Sequence, residues 1–124
     1  VIRFSIPMTM PTPNTLLRMH WAKRRRLQRR VSELVWCALR QAGIGRADPI
    51  DRCRMSLTRY SRRRCDVDAL GGTAKLLLDV LQPPSRRHPE GLGVIVDDSP
   101  DCVIEFHVEH ACGAHRTDVL IERA

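Results

Sequence analysis

No CxxC pair occurs in this sequence, and its five cysteines (Cys37, Cys53, Cys65, Cys102, Cys112) are an odd count. That spacing makes a poor disulfide framework and a poor zinc framework, and it reads as reduced thiols of a cytosolic protein. Aromatic residues are scarce, at 4%, which argues against a platform on which single-stranded bases stack in series. Lysine is almost missing: Lys23 and Lys75 are the only two among 21 cations, so the other 19 are arginine. No apolar run approaches the ~20 residues of a membrane span, and no charged-then-apolar leader precedes a cleavage site. Neither a membrane protein nor a secreted precursor is expected. Internal repeats and low-complexity tracts are missing as well.

What is there is one domain's worth of chain. Its 124 residues are 43% hydrophobic and 28% charged, an ordinary globular balance, and residues 1–124 read as a single domain. The formal net charge is +7. Arginine keeps its charge at any usable pH and grips phosphate bidentately. A small arginine-rich domain therefore favours a nucleic-acid partner. A coding bias towards arginine on a solvated surface is the competing explanation.

The hydropathy pattern gives the elements. Ile2, Phe4 and Ile6 alternate with Arg3 and Ser5, a short strand over residues 1–6. Pro7, Pro11 and Pro13 then read as a loop. From His20 to Ala42 the apolar stripe Leu27, Val31, Leu34, Val35, Ala38 and Ala42 has helical spacing, and Gly43 is a stop. Lys23, Arg24, Arg25, Arg26, Arg29 and Arg30 crowd that helix's first half, where cations oppose the macrodipole. An anionic partner would relieve them; a plain solvated face is the alternative. Cys53, Met55 and Leu57 alternate with Arg52, Arg54 and Ser56, a second strand over 51–60.

Arg62, Arg63 and Arg64 lead from there into Asp66-Val67-Asp68. Residues 68–81 read as a second helix, with Leu70, Ala74, Leu77, Leu78 and Leu81 buried. Residues 82–91 are a loop, and Leu92–Val96 is a short apolar run ending in Asp97-Asp98. Cys102, Ile104, Phe106 and Val108 alternate with Val103, Glu105, His107 and Glu109. A turn at Gly113 and a last strand over 117–122 then suggest a closing hairpin. The order β-α-β-α-β-β predicts an α/β protein of the α+β type, a small mixed β-sheet packed with two main helices.

At 100° per residue, Asp68, Gly72, Lys75 and Asp79 share one face of the second helix. Asp66 lies just upstream, and Asp97 and Asp98 close a separate segment. Carboxylates converging from separate elements are what a hard divalent cation needs. In a basic protein they would repel DNA phosphate unless a metal inverted the local charge. The pattern therefore points to metal-assisted phosphodiester hydrolysis. Each part also has a plain structural explanation. Asp68 is a good N-cap, Asp97-Asp98-Ser99-Pro100 is a turn sequence, and Lys75 with Asp79 is an i,i+4 pair. His107, His110, Cys112 and His115 are close enough in sequence to suggest zinc, but His107 and His110 fall on opposite faces of a strand. Trp21 and Trp36 are expected to pack their helix.

The stretch Asp66-Val67-Asp68-Ala69-Leu70, Lys75, Asp79-Val80-Leu81 and Gly93-Val94-Ile95-Val96-Asp97-Asp98 resembles the RusA-type Holliday junction resolvases. Pro11-Thr12-Pro13-Asn14 resembles the family's proline-rich loop after the first strand. With the closing strands, the resemblance covers nearly the whole chain. It implies a RusA-like fold, a homodimer acting on branched DNA (Holliday junctions), and Mg2+ as cofactor, with Mn2+ as a substitute. It further implies phage or prophage origin, and cytoplasmic work at the nucleoid.

Carried over residue by residue, Asp66, Asp68, Lys75 and Asp98 become the catalytic set. Asp66, Asp68, Asp97 and Asp98 become the metal set. The arginines 24, 25, 26, 29, 30, 62, 63 and 64, with Lys23, become the DNA grip. The match of Lys75 allows two or three extra residues around Gly71-Gly72, as in many phage members of the family. Two departures stand out: Ala69 replaces the family's usual Asn, and the 82–91 loop is longer and more basic. The expected function is a magnesium-dependent, structure-selective endonuclease that resolves four-way junctions by paired nicks. The alternative is a non-catalytic DNA-binding protein on the same fold. A basic module for an acidic protein partner, the third possibility, leaves the aspartates unexplained.

Overall fold

The structure, a computed structural model, describes residues 1–45, 48–64 and 67–124, the side chains of Val67 and Asp68 excepted. Strand β1 (Ile2–Ile6) leads into a short helix α1 (Pro13–Arg18) and a long helix α2 (Trp21–Gln41). Strand β2 (Cys53–Ser61) is followed by α3 (Val67–Leu70), a 3-10 turn (Gly71–Ala74) and α4 (Lys75–Leu81). Two strands, β3 (Val103–Cys112) and β4 (Arg116–Arg123), complete the chain's elements. The expected α+β order is present, with α2 and the broken α3–α4 segment as its two main helical parts.

The sheet is mixed, in the order β1-β4-β2-β3. β4 is antiparallel to both β1 and β2, whereas β3 is parallel to β2. One face carries the core: Phe4 and Ile6, Cys53, Met55 and Leu57, Val119 and Ile121. Helix α2 packs on β1 and on α4, closing this face with Val31, Val35, Ala38, Leu39, Leu77 and Leu81. The other face, with Arg3, Ser5, Ser56, Thr58 and Asp118, is open. That division is the usual one for strands whose residues alternate apolar and polar.

Helix ends follow local chemistry. Thr12 caps α1 by accepting from the Thr15 amide, and Pro13 takes the first turn, where its missing N–H costs nothing. The proline segment is therefore not wholly loop, since Pro13 starts a helix. Helix α2 begins at His20, whose Nδ1 accepts from the Ala22 amide at 3.2 Å. It stops at Gly43, which has φ of 77°. There the Ile44 amide returns to Leu39 O and the Gly43 amide to Arg40 O, the paired closure that a glycine at this position permits.

Four sequence expectations are corrected. The helix over 68–81 is not continuous. Residues 71–74 tighten into a 3-10 turn, because two glycines weaken the helix and Gly72 lies against the Pro13 ring, where a Cβ would collide. A 3-10 turn advances about 120° per residue instead of about 100°, so four residues rotate the phase by roughly 80°. Lys75 and Asp79 keep their i,i+4 spacing within α4, but the turn shifts α4 in phase from α3, so the single face expected over residues 68–79 is broken.

The closing hairpin is also absent. β2 lies between β3 and β4, and the link over residues 113–115 crosses the end of β2, where the Gly113 amide donates to Ser61 O at 3.2 Å. Residues 92–96 do not extend the sheet; they make one parallel bridge, Ile50 with Ile95. Finally, the β3 alternation changes phase at a bulge opposite Cys53 and Arg54. Val103 pairs with Cys53 and is buried, whereas Phe106 pairs with Met55 at the sheet edge and is 37% exposed.

Candidate nucleic-acid interface

One row of residues crosses the whole sheet on its core face: Ile6, Thr117, Arg59 and His110 are register partners in sequence across β1, β4, β2 and β3. The row begins apolar and ends in two basic side chains. Arg59 is only 8% exposed. Its Nε donates to Met10 O at 2.8 Å, and its Nη1 donates to Ser61 Oγ at 3.3 Å. The Ser61 hydroxyl in turn donates to Arg63 O. Thr9 donates to Tyr60 O at 2.5 Å, and Thr117 to Met8 O at 2.8 Å. These bonds hold the segment after β1 against the end of β2.

A cavity of about 830 Å³ opens at this place, lined by Thr9, Thr12, Arg59, Ser61, Arg62–Arg64 and His115. Arg62, Arg63 and Arg64 are exposed because the chain has just left the ladder. The sequence reading gave these three arginines to a DNA grip; in the fold they line one concavity. It missed Arg59, although a signal was present. Continuing the buried phase Cys53, Met55, Leu57 by one more step lands on Arg59, a permanent charge where an apolar residue belongs.

The second group of cations lies on α2. Lys23 and Arg24–Arg26 are exposed at its first turns, with no acidic residue in the first turn. Arg29 approaches Glu90 at 3.8 Å, and Arg30 approaches Glu33 at 4.0 Å. Trp21 and Trp36, expected to pack the helix, are instead 73% and 50% exposed. The buried stripe runs through Val31 and Val35, and Trp36 sits a further 100° round the helix. Its ring carries the Arg40 guanidinium at 5.2 Å.

The acidic residues divide. Asp66 and the side chain of Asp68 lie outside the described residues. Asp97 is half-buried and Asp98 exposed, just beyond Val96, whose amide donates to Ile50 O at 3.1 Å. They stand beside the start of β2, and Arg62–Arg64 stand beyond its end. Among the described residues, no three His, Cys, Asp or Glu side chains form a metal-binding group. Asp97 and Asp98 supply carboxylate oxygens, the donor type magnesium takes, and a complete magnesium site would need Asp66 and Asp68 as well.

Lys75 has another partner. Its Nζ is 3.2 Å from Asp79 Oδ1. Asp79 is 5% exposed, and His88 Nε2 lies 3.6 Å from the same oxygen. Gln28 Nε2 sits 2.8 Å from His88 Nδ1. With the amide donating to Nδ1, the imidazole proton is on Nε2 and faces the carboxylate. Asp79 is thus an anchor between α4, α2 and the 82–91 loop. The hydroxyl of Ser32 also holds that loop, donating to Glu90 O at 2.8 Å.

Of the residues that suggested zinc, His107 pairs with Glu109 at 2.9 Å. His110 faces the core side, 3.9 Å from Cys112 Sγ. Among the described cysteines, Cys37, Cys53, Cys102 and Cys112 are free thiols. Burial pushes the Cys53 thiol above its ordinary value, and Cys102 beside it adds to the rise. Among the described residues, no helix is long and apolar enough to cross a membrane.

Fold and site together define a small α+β protein with an arginine-lined cleft at the end of the inner strand β2. Comparison with family models, with curated proteins and with solved structures finds no match to this chain.

Proposed function

We propose that this chain is a metal-dependent, structure-selective DNA endonuclease that resolves four-way junctions as a homodimer in the cytoplasm. The observation that carries the reading is the arginine-lined cleft at the end of β2, with Asp66-Val67-Asp68 next in the chain. Arginines there and on α2 hold backbone phosphates without reading bases. Asp66, Asp68 and Asp98 would hold magnesium, which when bound polarises phosphoryl oxygen and acidifies water. Lys75 balances Asp79 and presents an ammonium, 56% exposed, to an approaching phosphate. Two subunits would each cut one strand, because a two-fold junction suits a two-fold enzyme.

The test is a nicking assay in magnesium on a four-way junction and on plain duplex of the same sequence. Paired nicks on the junction alone support the reading; no cleavage of either substrate in magnesium or manganese overturns it. A non-catalytic DNA-binding role is the second reading. It is favoured by Ala69 in place of the family's Asn, and by Asp97 and Asp98 standing at the opposite end of β2 from the cleft arginines. Under that reading the junction is bound and left intact.

A further inference from the structure

We infer that the cleft at the end of β2 is a seat for a phosphate group, and that Arg59 is its floor. A guanidinium has five N–H donors. Among the described residues two of them are engaged, one by Met10 O and one by Ser61 Oγ, and the other three have no described partner. No described carboxylate forms an ion pair with Arg59, yet the residue is 8% exposed and lines the cavity. Among the described residues, then, nothing offsets the desolvation of this buried charge. Its neighbours add to that cost, since Arg62, Arg63 and Arg64 line the same space. An anion in the cleft is attracted to each of these guanidinium groups and offsets the repulsion among them.

The geometry selects the kind of anion. Arg59 is fixed by two bonds from different segments, so its free edge is presented without further loss of side-chain freedom. A planar fork of this kind matches two oxygens of one tetrahedral group. The exposed Arg62, Arg63 and Arg64 line the same cavity of about 830 Å³ and supply donors for the remaining oxygens. Arg59 is thus a binding residue that the sequence motifs do not contain. The inference rests on the nucleic-acid reading only for where the phosphate comes from.

The experiment uses the full chain without metal. Inorganic phosphate and dimethyl phosphate are titrated separately, and the Nε–Hε signals of the arginines are followed by NMR alongside the thermal midpoint. Both anions are expected to shift the Arg59 signal at millimolar concentration and to raise the midpoint. Arg59→Lys keeps the charge but not the fork, and is expected to weaken binding at least tenfold. Because Arg59 also anchors Met10, its replacement can unfold the chain; Arg63→Ala, at an exposed position, is expected to weaken binding several-fold with the midpoint unchanged.

A response to dimethyl phosphate assigns the seat to a continuous backbone. A response to inorganic phosphate alone assigns it to a terminal or free phosphate. No response to either anion overturns the inference. So does a response that appears only in Asp66→Asn or Asp68→Asn, which would mean that the chain's own carboxylate occupies Arg59. Because no metal or cleavage is involved, failure here is separable from failure of the nicking assay.

Discussion

Asp79 holds α4 to the 82–91 loop through a single carboxylate oxygen that faces both Lys75 and His88. Spacing made it one end of an exposed acid–base face; in the fold it is a buried carboxylate between Lys75 and His88. Hydrogen bonds to a charged group contribute about 1.5–3 kcal/mol, so Asp79→Ala should lower stability by about 2 kcal/mol in urea denaturation. Lys75→Ala should cost less than about 1 kcal/mol, because its ammonium is more than half exposed. If Lys75 also serves catalysis, that variant loses nicking while keeping its midpoint. Cys53 gives a prediction in pH. Its thiol is raised from an ordinary value of 9.0 by burial and by Cys102. The stability this provides is full below 9.0 and is lost as pH rises through the folded value. The parent's thermal midpoint should therefore fall faster above pH 9 than that of Cys53→Ala, and Cys53 should resist thiol reagents at neutral pH while Cys37 and Cys112 react.

At the scale of elements, close approach decides more than propensity. A Cβ on Gly91 would meet the backbone of Gln82 and Pro83, with the Pro83 carbonyl carbon at 2.7 Å. The nearest described atoms to a Cβ on Gly72 belong to the Pro13 ring. Overpacking costs about 1–3 kcal/mol. Gly91→Ala should lie at the upper end of that range and Gly72→Ala lower, as the start of α1 can yield; chemical denaturation of both variants checks the order. Such contacts also mark where the sequence stops being informative. Helix α2 and strand β2 were legible because their periodic apolar residues face one core. The 3-10 turn was not, because its cause includes Pro13, some sixty residues earlier in the chain. The closing hairpin was misread for a related reason: nothing local in β3 or β4 says that β2 lies between them. The candidate site was legible as a run of arginines after β2, and illegible as a cleft, since its floor comes from the strand's buried phase.

For the whole molecule, the inner position of β4 is decisive. It pairs with β1 on one side and β2 on the other, so a chain shortened before Arg116 should lose its fold entirely; circular dichroism and urea denaturation of that truncation test it. The charge of +7 acts at the same scale. Each phosphate contact releases counterions, so DNA affinity should fall by orders of magnitude between about 50 and 200 mM salt. Flat binding across that range, measured by fluorescence anisotropy, would remove the arginines from the interface. The pairing of β1 with β4 has a mechanical consequence as well. Ile2 lies opposite Ile121 in an antiparallel pair, so a pull on the two ends of the chain loads the hydrogen bonds between these strands one after another. They would open like a zipper rather than shear together. In a force-extension measurement the domain should yield at low load, starting with the detachment of β1, however stable it is to urea.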